Sequence, residues 1–154
     1  MTTTVAYADL PSLAGTDLGW SSWIDVPQER INTFADATED HQWIHVDPER
    51  AKDSPFGGPI AHGFLTLSLA IPMWTELLEV EGVTTKVNYG LDKVRFISPV
   101  PAGSRVRMNA VIAEVTEIPG GYQLTVDQTI EAEGGTKPAV ACVSRTRSPS
   151  SAAT

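Results

Sequence analysis

The sequence predicts an α+β domain, a long antiparallel sheet curled over one apolar helix, on three observations. Helical periodicity is confined to the first half of the chain, four segments rich in Val, Ile and Thr fill the second half, and the most apolar helix stands between them. The 154 residues, 42% of them apolar, suit one core. Residues 1–147 are expected to form a single domain, with 148–154, rich in Ser and Ala, as a flexible C-terminal tail.

Taken in order, Ser21 to Val26 reads as a short strand, and Pro27 stands where a first helical residue tolerates a missing N–H. Ile31, Phe34, Ala35 and Thr38 then share one helical face. From Glu39 to Asp47 ionisable residues alternate with Trp43, Ile44 and Val46, so polar chemistry and burial are interleaved. Pro48 to Lys52 is one helical turn, and Ser54 to Pro59 is a loop by its Gly and Pro content. His62 to Leu78 is apolar nearly all round at first, as in a helix enclosed by other elements, with Pro72 expected to kink it or mark an irregularity. Strands follow at Thr84 to Ile97, Arg105 to Glu117, Tyr122 to Glu133 and Ala139 to Thr146, divided by Pro and Gly clusters. In the second of these, Val106, Met108, Ala110 and Ile112 fall on one side and Arg105, Arg107 and Asn109 on the other. Such a sheet has an edge, and an edge invites pairing with a second copy, so a homodimer is expected.

Eleven Lys and Arg against nineteen Asp and Glu leave a net charge of −8, which argues against nucleic acid as a partner. The charge is polarised, with three basic and thirteen acidic residues up to position 85 and eight basic and six acidic after it. That asymmetry suits either a local field for an anionic ligand or an ordinary solvated surface. One cysteine, Cys142, excludes an internal disulfide, and the apolar stretch from Ile60 to Trp74 is shorter than the roughly 20 residues of a membrane span. With no secretory signal read at Met1 to Ala14, a cytoplasmic protein without membrane association is expected.

Asp40 and His45 lie five positions apart in the interleaved segment, where an irregular turn can aim a carboxylate and an imidazole at one water for general acid–base chemistry. The same spacing also occurs in solvated loops. His41, next to Asp40, is expected to face away, and Asp47 before Pro48 reads as a helix N-cap. His41, His45 and His62 do not form a zinc pattern, so no metal is expected. No Gly-x-Ser-x-Gly elbow or phosphate-binding Gly-rich loop is present. Gly58 to Gly63 opens the apolar helix, where free N–H groups could polarise a carbonyl oxygen or where glycine merely permits tight packing. His62 is read as a hydrogen-bonded structural side chain.

Taken together, Phe34 to Ala51, Phe56 to Gly63, Asn88 to Phe96 and Pro99 to Ser104 resemble the MaoC-like dehydratases, or (R)-specific enoyl-CoA hydratases, in the branch that contains the nodulation protein NodN. The resemblance covers roughly residues 18 to 146 and implies the hot-dog fold, a cytoplasmic enzyme of fatty acid metabolism, and a homodimer. It implies that Asp40 and His45 hold the attacking water and that the Gly63 N–H binds the thioester oxygen. The substrate is then an acyl-CoA or acyl carrier protein thioester, with coenzyme A part of the substrate and no separate cofactor. Lys93 and Arg95 are the basic residues chosen for its anionic end. The family usually places Asn and Pro between its Asp and His, whereas this chain has Gln42 and Trp43. Gln42 keeps an amide for substrate binding, and Trp43 either narrows the acyl pocket or packs on the loop. The alternatives are a hot-dog thioesterase and a non-catalytic acyl-thioester binding or partner subunit.

Overall fold

Alternation of apolar and polar side chains makes the second half of the chain a sheet with one buried face. Val106, Met108, Ala110 and Ile112 are all fully buried, and Val106, Met108 and Ile112 each contribute at most about 1.5–3 kcal/mol by leaving water, the Ala110 methyl less. They belong to β6 (Ser104–Ile118), which forms a hairpin with β7 (Gly121–Ala132); β8 (Val140–Pro149) and β5 (Val87–Phe96) complete that side of the sheet. Gly120 supplies the left-handed backbone, φ 83°, that the tight β6–β7 turn requires. The structure, a computed structural model, describes residues 1–83 and 85–150. Thr84, at the start of one expected strand, and 151–154, the end of the expected tail, lie outside them.

Earlier in the chain come β1 (Thr3–Ala6), a 3₁₀ helix (Tyr7–Leu13), β2 (Asp17–Trp20), β3 (Ile24–Val26) and α1 (Gln28–Thr38). Single turns α2 (Trp43–Val46) and α3 (Pro48–Ala51) precede α4 (Gly63–Ser68), α5 (Ala70–Leu77) and β4 (Leu78–Glu81). The six-stranded antiparallel sheet has the order β2-β6-β7-β8-β5, with β3 also on β6. Met73, Trp74 and Leu77 of α5 enter one core cluster with Val106, Met108, Leu124, Val126 and Ile130 of the sheet. On the opposite face Arg105 pairs with Glu133 and Arg107 with Glu131.

Several expectations need correction. Pro27 is the N-cap of α1 rather than its first residue: its backbone is extended (φ −71°, ψ 161°), while its carbonyl accepts from the N–H of Arg30 and Ile31. Thr38 of the expected apolar face is exposed and bonds the Phe34 carbonyl. The central helix is two segments meeting at Leu69, because Pro72 offers no N–H for the Ser68 carbonyl and its ring crowds that turn. The helix is also less enclosed than its composition suggests, since Phe64 is 68% and Ile71 45% exposed. Leu78, expected in the helix, opens β4, which pairs in parallel with β1. Ser148 and Pro149, expected in the flexible tail, are strand residues opposite Tyr122 and Gly121.

Candidate active site

Helix α1 ends on Glu39, whose left-handed backbone (φ 61°) turns the chain back along the helix and starts the polar loop. His41 turns outward to Asp36, 2.8 Å away. Asp47 caps α3 by accepting from the Arg50 N–H at 3.0 Å. Between them α2 carries His45 inward, where it is buried. Its Nδ1–H donates to the Ile60 carbonyl at 2.6 Å, which leaves the Nε2 lone pair of the neutral ring free. Gln28 Nε2 donates to the His45 carbonyl at 2.7 Å, and the Ile60 N–H to the Ile44 carbonyl at 3.0 Å, so the turn is held on both sides. Burial pushes the imidazole below its ordinary pKa; His62 acts in the same direction, opposed by the Ile60 carbonyl and Asp40.

His62 ties the loop to the start of α4. Its Nε2–H donates to the backbone carbonyl of Asp40 at 2.9 Å, and Nε2 lies 4.0 Å from the Asp40 carboxylate. Its ring stacks on that of His45 with centroids 3.9 Å apart and lies 4.8 Å from the Phe34 ring. The Asp40 carboxylate remains half-exposed. One ligand-type atom from each of Asp40, His45 and His62 lies within 4.8 Å of the others, the one grouping of this kind among the described residues that could hold a metal ion. The free His45 Nε2 and the carboxylate suit acid–base chemistry, whereas His62 Nε2 is already committed to a carbonyl.

A cavity of about 190 Å³ opens from His45 and is bounded by Ile60, Gly63, Thr66, Phe96 and Val140. Gly63 follows the N-cap His62, so its N–H belongs to the first turn, where no intrahelical acceptor exists. A Cβ there would meet Phe96 Cδ1 at 2.9 Å, which makes Gly63 the residue that lets this ring lie against the helix start. Sequence reasoning missed Phe96, and it missed that His62 holds Asp40. A bulky side chain facing an obligatory glycine appears only once β5 is brought onto α4.

The remaining candidates lie outside this cavity. Gln42 is exposed and does not line it. Trp43 is half-buried on α2 with the Arg50 guanidinium 4.4 Å over its ring, so it packs on the loop. Lys93 and Arg95 are exposed on β5; neither has an acidic partner among the described residues, and Arg95 bonds only the Val94 carbonyl. By contrast Arg105, Arg107 and Arg145 are each paired with a carboxylate, and Lys86 is half-buried with its Nζ donating to the Leu78 carbonyl.

An antiparallel sheet folded over a broken central helix, with a carboxylate and two imidazoles at the helix entrance, defines a protein of the hot-dog class. The chain belongs to the MaoC-like family: the MaoC like domain matches residues 9–133. It is 51% identical over 140 residues to 3-hydroxyacyl-thioester dehydratase Z of Mycobacterium tuberculosis (strain ATCC 25618 / H37Rv), covering 90% of this chain and 93% of that protein. Identity to nodulation protein N of Rhizobium leguminosarum bv. viciae is also 51% over 140 residues, 88% of this chain and 86% of that one. The fold matches the unliganded R-hydratase PhaJ1 of Pseudomonas aeruginosa with a TM-score of 0.75 at 22% identity, over 94% of this chain and 85% of the other.

Proposed function

We propose that this MaoC-like hydro-lyase adds water to a trans-2-enoyl-CoA to give (R)-3-hydroxyacyl-CoA, or runs the reverse dehydration. Neutral His45 takes a proton from water through Nε2 while Asp40 accepts the second hydrogen bond of the same water. Hydroxide bonds to C3, the C2–C3 π electrons move to C2 and the thioester carbonyl, and the Gly63 N–H stabilises the enolate-like oxygen. The proton taken from water then reaches C2, so atoms and charge balance with no cofactor or metal beyond the coenzyme A of the substrate. The observation that carries the reading is the convergence of Asp40 and His45, five residues apart, beside a cavity that reaches Gly63.

Lys93 and Arg95, without acidic partners among the described residues and on the strand that ends at Phe96, are the cations we assign to the anionic end of the thioester. Edge strand β5 exposes Val87, Tyr89, Leu91 and Phe96, and with Phe64 and Ile71 these form the apolar surface we assign to a homodimer, to be checked by sedimentation. A reducing, cytoplasmic setting suits the lone Cys142, which is buried with its thiol pushed up to about 11. Purified protein given crotonyl-CoA tests the reaction. Loss of enoyl absorbance without free thiol is expected; release of thiol would make the protein a thioesterase, and no turnover would leave a binding or partner subunit.

A further inference from the structure

A second and larger cavity, about 340 Å³, lies further along the same helix, between α4–α5 and strands β5, β7 and β8. Thr66 borders the first cavity and Leu67 the second, so the two lie in succession along one helix, in the order that a chain with its thioester at Gly63 would meet them. Leu67, Ile71 and Leu91 make its walls largely apolar, and since Ile71 and Leu91 also belong to the surface assigned above to the homodimer, the cavity opens beside that interface. The sheet face beneath α5 is hydrocarbon at Val126, Ile130 and Val140 but turns polar at Gln128, Ser144 and Thr146, all buried. Two groups here are stranded: the Trp74 indole N–H and the Ser144 hydroxyl are buried without a hydrogen-bond partner among the described residues, although both residues line the cavity. Buried polar groups are normally paired, and an unpaired one weighs against the fold unless a ligand or water completes it.

The indole N–H can only donate and the hydroxyl can do either, so the missing partner is an acceptor. It is uncharged, because Arg145, the one charged residue lining the cavity among the described residues, is held by Asp92 at 2.7 Å and none of them leaves a free cation there for an anion. From these observations, and resting on the acyl-thioester reading above, we infer that the cavity receives the distal half of the acyl chain and that this chain carries a neutral oxygen there, as a keto, hydroxyl or ether group bonded by Trp74 and Ser144. A plain hydrocarbon tail would fill the same space and leave both groups unpaired.

The experiment compares acyl-CoA thioesters of equal chain length, one all-hydrocarbon and the others with a keto oxygen stepped along the distal half. Saturated thioesters give affinities by calorimetry, and the matching trans-2-enoyl thioesters give kcat/KM for hydration. For at least one oxygen position a preference over hydrocarbon of about tenfold is expected in affinity, that of one satisfied neutral hydrogen bond or two, falling to within about threefold in Trp74→Phe and Ser144→Ala. Ser144→Ala keeps the shape of the core, Trp74→Phe keeps an aromatic ring but leaves a small void, and a thermal melt checks that both fold. Equal or better binding of the hydrocarbon chain against every oxygen position, or a preference unchanged in both variants, overturns the inference. Failure of the hydratase reading looks different: no enoyl thioester is hydrated, while the affinities of the saturated series still decide the nature of the cavity.

Discussion

Replacing Gly63 by Ala perturbs the candidate site by one methyl group whose surroundings are known. The added Cβ would stand 2.9, 3.0 and 3.1 Å from Cδ1, Cγ and Cε1 of Phe96. Carbon pairs are comfortable at about 3.5–4.0 Å, so ring and helix start must separate by roughly 0.5–1 Å. Overpacking of this kind costs about 1–3 kcal/mol, at the low end where the half-exposed Phe96 can swing outward and at the high end where a second copy covers it. Reduced freedom of the unfolded chain returns about 0.4–1 kcal/mol, so Tm should fall by no more than roughly 10 °C. Activity should respond far more, because the displaced groups border the cavity that contains His45, and a misplacement near 1 Å costs about a hundredfold. Crotonyl-CoA hydration followed by enoyl absorbance, beside a thermal melt, reads both effects. Adding Phe96→Leu relieves the clash but keeps the methyl at the N–H, so stability should return while activity stays low. If Gly63→Ala melts and turns over like the parent protein, the Gly63 N–H is not where the thioester oxygen sits.

Other expectations concern single groups. Asp40→Asn should lower kcat at least about a hundredfold with little change in Tm, the carboxylate being half-exposed; the same rate in kinetics would remove Asp40 from the mechanism. His45→Ala should lose as much activity and also about 1–3 kcal/mol of stability in denaturant melts, since the Ile60 carbonyl loses its donor. In the proposed hydration the base is neutral His45, whose pKa burial depresses, so kcat/KM should hold at neutral pH and fall only below 6.5; the stability linked to this group is likewise present above 6.5 and lost as pH falls. An acid limb centred above 6.5 in the pH–rate profile would contradict the burial argument. Cys142 should react with a thiol reagent only after unfolding, and rapid labelling of the native protein would show that β8 opens. Hydration should survive dialysis against EDTA, and activity restored only by a divalent cation would reassign the Asp40, His45 and His62 grouping to metal binding.

The strands of the second half were legible because their signal is local: period-two alternation and Gly–Pro turns placed β6, β7 and β8 within one to three residues of their observed ends. The β1–β4 pair carries no such signal, being two four-residue segments brought together only when α5 ends at Leu77. The break at Leu69 was half legible, since Pro72 announced an irregularity but not which residue would absorb it. At the site, Asp40 and His45 were legible because both lie on one loop and because family likeness gave their order a meaning. Gln42 reads as a substrate-facing amide in sequence yet stands exposed, because α2 begins directly after it and points the next inward side chain, His45, at the cavity. Phe96 was not legible as a site residue, since its position against Gly63 depends on how the edge strand lies over a helix more than twenty residues earlier.

His62 explains how a short polar loop can hold a defined geometry beside a rigid sheet. Loop residues usually take their positions from backbone turns alone, and Asp40 has no regular structure of its own. Here the N-cap residue of α4 donates to the Asp40 carbonyl through one ring nitrogen and lays the face of the same ring on His45. Because His62 is 2% exposed and packed against Phe34 of α1, its ring has little room to rotate, and the carboxylate and the imidazole are referenced to the helix start rather than to each other. Gly63, the next residue, presents its N–H from that same point. The three groups assigned to the reaction are therefore referenced to one short stretch of chain, Ile60–Gly63, with Ile60 bonding His45 and His62 bonding Asp40, and the sheet holds that stretch in place: Ala61, within it, donates to the Val100 carbonyl at 2.8 Å. A carboxylate, an imidazole and a free helix-start N–H fixed to a common origin are preorganised for the proposed reaction, the cost of ordering them being met in folding rather than at each turnover.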